Sequence, residues 1–378
     1  DWVQKSDGLG ATENYHAASS PFYAGLISTG TQDNGELVFT GNTWKTNRGG
    51  DWTTKMQMDY STQKFVYYFN DKERRPLPSG GGTTYNVPAA ITSAAIKHVF
   101  SPDDQNLAYV SGTSIWQTKN ASNASPIWTQ IVSATSTIRA MAVCKNHSNI
   151  FSYTAGNRFY ISHDALSAIP SFTMTTLASA MTTGDIVISS IDTNLIYVII
   201  TNKVYKSNDG GLTFVDYTGI LPNVNHMKLF LDDYSGNNSL YLGNNLGVYY
   251  RNNSMSDWVN YSGVLPTISN ISDIMYFNDG GVDARLYVSY YGRGTWETKL
   301  ENSNTCPTPI NVAATLIGTN VSVTWNTTGV SQYEIQYREE GTFNWTSMNV
   351  STNSAIISSY NGCTNYEVRV RSKCVSSE

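Results

Sequence analysis

The sequence predicts an all-β chain in two parts, an array of strand repeats over residues 1–300 and a separate β-module after it. Three observations lead there. No stretch of useful length places apolar residues at the helical period of about 3.6. A unit of about 44 residues recurs, running strand, Leu-Tyr-Val-like strand, glycine-containing turn and closing aromatic. Beyond residue 306, apolar and polar residues alternate through Val321, Val323 and Trp325, then Tyr333, Ile335 and Tyr337, then Tyr366, Val368 and Val370. A period of two means strands with one buried face.

Composition narrows the functional classes. At 378 residues the chain exceeds one compact core. Charged residues make up 14%, against about 25% in an average soluble domain, and 25 tyrosines with abundant Ser, Thr, Asn and Gly take their place. Such a weakly charged polar surface suits a secreted β-protein. A net charge of −5 argues against a nucleic-acid binder, which needs a basic face. Apolar runs such as Ile196–Ile200 fall far short of the roughly 18 residues of a membrane-spanning helix. The chain opens on Asp1-Trp2 without a signal-peptide pattern, so it is expected to start at a processing site or inside a longer polypeptide.

The repeats are clearest in the middle. One unit runs from Asp185 to about Pro222 and the next from Met227 to Pro266, closing on the matching phrases Tyr217-Thr218-Gly219-Ile220-Leu221-Pro222 and Tyr261-Ser262-Gly263-Val264-Leu265-Pro266. Upstream units cover Arg139–Phe172, Ala95–Trp128, Met56 to about Thr92, and Phe22–Trp52; Ile271–Leu300 lies downstream. This spacing fits four-stranded propeller blades and predicts about seven of them, the N-terminal strands being upstream or absent.

Ser207-Asn208-Asp209-Gly210-Gly211-Leu212-Thr213-Phe214 is the sharpest motif. Asp209 is placed to bend its carboxylate onto backbone N–H groups two and three residues on. Gly211 allows positive φ, and Thr213 and Phe214 restart a strand. A worn version stands at Ser162-His163-Asp164. The motif resembles the Asp-box of sialidase-like and sortilin-like β-propellers, where it joins the outer two strands of a blade and carries no chemistry. With Gly30-Thr31-Gln32-Asp33-Asn34-Gly35, Arg48-Gly49-Gly50-Asp51-Trp52 and Tyr291-Gly292-Arg293-Gly294-Thr295-Trp296, residues 1–300 resemble large secreted propellers of the sortilin/xyloglucanase-like group.

Residues 301–306 form a polar linker. The run of Pro307 and Pro309, Trp325, Tyr333-Glu334-Ile335-Gln336-Tyr337-Arg338, Trp345 and Tyr366–Val370 over 307–378 resembles a fibronectin type III sandwich whose last strand is missing. The resemblance places Cys306 and Cys374 at one pole and implies a disulfide between them. Cys363 lies 11 residues before Cys374 on one extended strand, so it is left unpaired. Such a bridge implies an oxidising compartment. Cys144 reads as a small buried residue, and His16, His98, His147, His163 and His226 show no metal-ligand spacing.

A propeller followed by a fibronectin-like module resembles surface proteins and adhesins of type IX-secreting gliding bacteria (Bacteroidota). The resemblance implies a non-catalytic extracellular or cell-surface module that contacts a polysaccharide or a surface protein, without a cofactor. Outward members of the pairs Tyr249-Tyr250 and Tyr290-Tyr291 are candidate sugar platforms. The alternative is a glycoside hydrolase of the xyloglucanase type, for which paired acids are required; Asp33 and Asp51 are the candidates. Both also read as turn residues capping backbone N–H groups.

Overall fold

A computed structural model describes residues 3–5, 12–20, 25–50, 55–58, 64–68, 73–76, 83–84, 97–123, 125–133, 136–178, 183–266, 270–277, 284–301, 309–328, 330, 332–340, 346–358, 362 and 364–373. Trp2, Asp51, Asp279, the segment 302–308 with Cys306, and Trp345, Cys363 and Cys374 lie outside the described residues, so the expected disulfide and the Asp51 half of the acidic pair do too. The chain divides into two compact units, 1–233, 237–277 and 285–299 in one, and 234–236, 278–284 and 300–378 in the other.

The larger unit is built of antiparallel four-stranded sheets, seven among the described residues. Strand β1 (Val3–Gln4) stands apart from its sequence neighbours. The first sheet holds β2 (Asn14–Ser19), β3 (Leu26–Thr31), β4 (Gly35–Thr40) and β5 (Trp44–Arg48). The second holds β6 (Lys55–Met58), β7 (Lys64–Tyr68), β8 (Glu73–Pro76) and β9 (Thr83–Thr84). The third holds β10 (Lys97–Phe100), β11 (Ala108–Ser111), β12 (Ser114–Thr118) and β13 (Trp128–Ser133). The fourth holds β14 (Ile138–Cys144), β15 (His147–Ala155), β16 (Arg158–Ser162) and β17 (Thr173–Thr176). The fifth holds β18 (Ile186–Ile188), β19 (Ile196–Ile200), β20 (Lys203–Ser207) and β21 (Val215–Asp216). The sixth holds β22 (His226–Asp232), β23 (Ser239–Asn244), β24 (Gly247–Arg251) and β25 (Val259–Asn260). The seventh joins β26 (Ile271–Phe277), β27 (Arg285–Tyr290) and β28 (Gly294–Lys299) to β1, which pairs Val3 with Glu297 and Gln4 with Trp296.

The first strands pack side by side in a closed circuit, β2 to β6, β10, β14, β18, β22, β26 and back to β2. Burial on both faces is why some second strands read as unbroken apolar runs: all five residues of β19, Ile-Tyr-Val-Ile-Ile, are buried. The short fourth strands β21 and β25 are exposed. Apolar clusters cement neighbouring sheets. Phe159 and Ile161 of the fourth sheet meet Ile186, Ile196, Val198 and Ile200 of the fifth, and Ala17, Ile27 and Phe39 of the first meet Met275, Phe277 and Tyr287 of the seventh. Each such side chain contributes about 1.5–3 kcal/mol when fully buried.

Inner strands leave one edge unpaired, and acidic side chains serve it. Asp185, just before β18, accepts the N–H of Leu229 in β22 at 2.9 Å. Asp273 of β26 accepts the N–H of Ala17 in β2 at 3.0 Å. A carboxylate from one sheet thus satisfies a backbone donor of the next, where no strand remains to do so.

The smaller unit contains two three-stranded antiparallel sheets. One is β29 (Ala313–Ile317), β30 (Asn320–Thr324) and β33 (Ser354–Ile357); the other is β31 (Gln332–Glu339), β32 (Thr346–Val350) and β34 (Tyr366–Lys373). Val323, Trp325, Tyr333, Ile335, Ala355 and Ile357 form its core, joined by half-buried Val321, Tyr337, Val368 and Val370. These are the alternating positions of the sequence, and the Trp325 and Tyr333 rings meet edge to face at 5.2 Å.

Candidate functional site

The Ser207–Phe214 turn connects β20 to β21, the outer two strands of the fifth sheet. The Ser207 hydroxyl, 1% exposed, donates to Asp209 Oδ1 at 2.7 Å and accepts the N–H groups of Asp209 (3.3 Å) and Gly211 (2.8 Å). Asp209 then accepts the Thr213 N–H at 2.9 Å and the Thr213 hydroxyl at 2.5 Å, and with Leu212 also bonding through its backbone its main-chain contacts lie three and four residues on. Hydrogen bonds from the Thr213 hydroxyl, the Thr213 N–H and Ser207 hold the carboxyl down at about 2. Gly211 has φ +87, and a Cβ there would stand 2.5 Å from the Phe159 ring of the fourth sheet. Phe214 meets that same ring edge to face at 5.1 Å.

Two further turns repeat the arrangement. Ser162 donates to Asp164 at 2.8 Å, and Asp164 accepts the Ser171 N–H (2.8 Å) and hydroxyl (3.0 Å). Thr118 donates to Asn120 at 2.8 Å, and Asn120 accepts the Ile127 N–H at 2.8 Å. The second of these escaped the sequence reading; its only signal is Thr-x-Asn.

Strand direction separates these turns from the other candidates. First strands run away from one end of the circuit, second strands return, and third strands leave again. The hairpins joining second to third strands therefore share one end, here the mouth, with the starts of the first strands. The Ser-x-Asp turns lie at the opposite end.

At the mouth, the β3–β4 hairpin carries Asp33. It is exposed, with φ 60, and the N–H of Asn34 closes the turn on the Gln32 carbonyl at 2.7 Å. Asn34 also forms an isolated parallel bridge with Gly50. Beside this hairpin stands Tyr291, in the β27–β28 turn. It bridges to Glu13, its N–H donates to the Asn270 carbonyl at 2.9 Å, and its hydroxyl reaches Glu13 Oε2 at 2.6 Å and Gln32 Oε1 at 2.9 Å. Tyr15 donates to the same Gln32 oxygen at 2.8 Å, and its ring lies 5.5 Å from that of Tyr291. The Glu13 carboxylate, as acceptor, raises the Tyr291 phenol above its ordinary range. Two rings and two hydrogen-bonding side chains are thereby set in one patch.

The tyrosine pairs divide unequally. Tyr290 is fully buried and Tyr291 is 36% exposed. Tyr250 is buried, and Tyr249 is half-buried against the core cluster of the fifth and sixth sheets. Cys144 is buried, its thiol pushed up to about 12 by burial and by Asp233 and Asp103. Asp104 is a turn acid that accepts the Asn106 N–H at 2.8 Å, while Asp103 accepts the Asn146 N–H of the β14–β15 hairpin. Asp233 accepts from the Ser190 N–H and hydroxyl, both at 2.7 Å. Among the described residues no three His, Cys, Asp or Glu side chains gather as metal ligands, and no helix is long and apolar enough to cross a membrane.

No family model and no curated protein matches the chain. Solved structures do. YCF48 from Cyanidioschyzon merolae aligns at TM-score 0.58 and 11% identity over 79% of this chain and 98% of its own. A structure of YCF48 bound to D1 peptide aligns at TM-score 0.57 and 10% identity, covering 80% and 97%. The WD40 beta propeller domain of Doa1 aligns at TM-score 0.54 and 10% identity, covering 79% and 96%. At such identities the likeness shows the fold alone: the chain contains a β-propeller.

Proposed function

We propose that this chain is a non-catalytic binding and display module of an extracellular or cell-surface protein, a seven-bladed propeller with Asp-box turns followed by a fibronectin type III sandwich. The observation behind it is the Glu13–Tyr15–Gln32–Tyr291 patch at the mouth. Paired tyrosine rings offer flat apolar faces at little entropic cost, and the adjoining carboxylate and amide supply directional hydrogen bonds. Such a patch suits a polysaccharide. That one structural neighbour is bound to a peptide supports protein contact as the other form of the same role. The sparse charge of the sequence is the observation that favours secretion, and the resemblance to type IX-secreted surface proteins favours attachment to a larger polypeptide.

Titration of the chain with soluble polysaccharides, followed by calorimetry, tests this reading. Binding that Tyr291→Ala weakens by about tenfold, on the scale of one stacked ring, supports it. Undiminished binding in Tyr291→Ala overturns the patch as the site.

A second reading, a glycoside hydrolase acting through Asp33 and Asp51, draws support from the Asn34–Gly50 bridge, which sets the two acidic phrases side by side. Release of reducing ends from a β-glucan, abolished by Asp51→Asn or Asp33→Asn, would establish it in place of the first.

A further inference from the structure

We propose that a cavity between the third and fourth sheets, at the end opposite the mouth, docks an extended peptide of a protein partner that carries an aliphatic side chain and a nearby carboxylate. The cavity has a volume of about 410 Å³ and is lined by Gln117 and Lys119, by Ile127 and Ile131, and by Ala168. Ligand pockets span roughly 300–1,000 Å³. A long turn supplies its far wall. The Asp164 turn closes on the Ser171 N–H seven residues on, where the Asp209 turn closes on Thr213 four residues on. That longer loop is tied to the third sheet: Gln117 Nε2 donates to the Ala165 carbonyl at 2.7 Å, and Lys119 Nζ donates to the Leu166 carbonyl at 2.5 Å.

Three features of the lining select the ligand. Gln117 is 4% exposed, and its two amide protons go to the Tyr109 hydroxyl at 2.8 Å and the Ala165 carbonyl at 2.7 Å. Its carbonyl oxygen accepts nothing from the described residues, so it is the group left for a ligand N–H. Lys119 makes no ion pair among the described residues. Its bond to the Leu166 carbonyl leaves two N–H donors and the charge for a carboxylate. Because Gln117 and Lys119 hold successive carbonyls of the loop, acceptor and ammonium stand side by side. Ile127, 74% exposed at the rim, forms with Ile131 and Ala168 an apolar wall for an aliphatic side chain.

Strand β13 gives the ligand its extended form. It is the outer strand of the third sheet, and from Thr129 to Ser133 its outer edge has no neighbouring strand among the described residues. At six residues it is also the longest outer strand described in the ring. A peptide laid along β13 pairs backbone with backbone and turns alternate side chains towards the face that carries Ile131. One of them then enters the cavity, a main-chain N–H reaches Gln117, and a carboxylate one or two residues away meets Lys119.

Calorimetric titration of the chain with the blocked peptide acetyl-Thr-Ile-Thr-Asp-Thr-amide tests the site. The expected result is one-site binding. It should weaken about threefold when Asn replaces the peptide's Asp, the scale of one partly exposed ion pair. It should weaken about tenfold or more when Gly replaces the peptide's Ile, the scale of one buried aliphatic side chain. Lys119→Gln should erase the preference for Asp over Asn, and Ala168→Trp should block the peptide, both at an unchanged melting temperature. Lys45→Gln on β5 and Tyr291→Ala at the mouth should leave peptide binding as it was, so failure of the tyrosine patch would not count against this site. Absence of peptide binding, equal affinity for the Asp and Asn peptides, or indifference to Ala168→Trp overturns the proposal. So does self-association of the chain that Ile127→Ser abolishes, which would give the cavity to a second copy.

Discussion

Asp185 and Asp273 do the same job at two places in the ring. Each sits at the start of a first strand and gives its carboxylate to the backbone N–H of the next sheet, Leu229 at 2.9 Å and Ala17 at 3.0 Å. Asp273 works at the closure, where the seventh sheet meets the first, and it alone also pairs with Lys228 (3.1 Å). Both side chains of that pair are largely buried, at 20% and 8% exposure.

Asp273→Asn is therefore expected to destabilise the chain by roughly 3 kcal/mol, because it strands a largely buried ammonium and weakens the acceptor for Ala17. Lys228→Met should cost less, since Asp273 keeps His16 and the Ala17 N–H. Urea unfolding of both variants checks the order.

Gly219→Ala tests the repeated turn. Gly219 has φ +52, and a Cβ there would come 1.9 Å from Asp257 Oδ1, the acceptor of the Ile220 N–H at 3.1 Å. Left-handed backbone and collision together should lower stability by roughly 1–3 kcal/mol. Asp257→Ala in the same chain should relieve the collision and leave the backbone penalty, which thermal unfolding of the single and double variants separates.

Asp209→Ala should lower the melting temperature by a few degrees and leave mouth binding untouched, since the Ser-x-Asp turns lie at the other end of the sheets. Asp164→Ala should behave alike. Loss of ligand binding at an unchanged melting temperature would show these turns to be recognition elements.

Stability should fall on the acid side in two stages. His226 is fully buried and its imidazole is pushed down to about 4 by burial. Its folded pKa lies below the unfolded value of about 6.5, so its contribution is complete above that pH and is lost as pH falls towards 4, on the order of 3 kcal/mol in all. Asp209, held at about 2, adds a further loss between about pH 4 and 2. Unfolding at stepped pH should show the first stage vanish in His226→Gln.

Trp258 is 1% exposed, donates its indole N–H to the Tyr217 carbonyl at 2.9 Å and meets the Tyr217 ring edge to face at 6.1 Å. Trp258→Ala is expected to cost about 3–5 kcal/mol, read from the denaturation midpoint.

The fold was legible where burial on both faces leaves an unbroken apolar run, as in Leu195–Ile200, and where a turn needs a particular glycine. The phrases ending at Pro222 and Pro266 make matching turns: Thr218 and Ser262 hydroxyls each accept the third-strand N–H, of Val204 at 3.1 Å and Val248 at 3.0 Å, and Gly219 and Gly263 share φ 52. The Thr118–Asn120 turn was hidden because Thr and Asn stand where the two recognised turns have Ser and Asp; its closing contact, the Ile127 N–H on Asn120, spans seven residues as the Ser171 N–H on Asp164 does. The mouth was less legible still. Glu13 and Tyr291 are 278 residues apart, and no local pattern announces a contact made by closing a circle. Of the tyrosine pairs, alternation alone could not distinguish Tyr249, packed on the core, from the exposed Tyr291.

The two-residue strand β1 has a consequence out of proportion to its length. It is the outer strand of the seventh sheet, held by the Lys5 N–H on the Thr295 carbonyl at 2.7 Å, by the Lys5–Glu297 ion pair at 2.6 Å, and by the Trp44 indole on the Lys5 carbonyl at 2.6 Å. A ribosome therefore makes one half of this clasp nearly 300 residues before the other half exists. Until residue 299 has emerged, every completed sheet waits with an unsealed neighbour, and the entropy of joining the ends falls due in a single late step. The same clasp is where the circle would open first under a pulling force, sheet by sheet from β1, like a zip released at its slider.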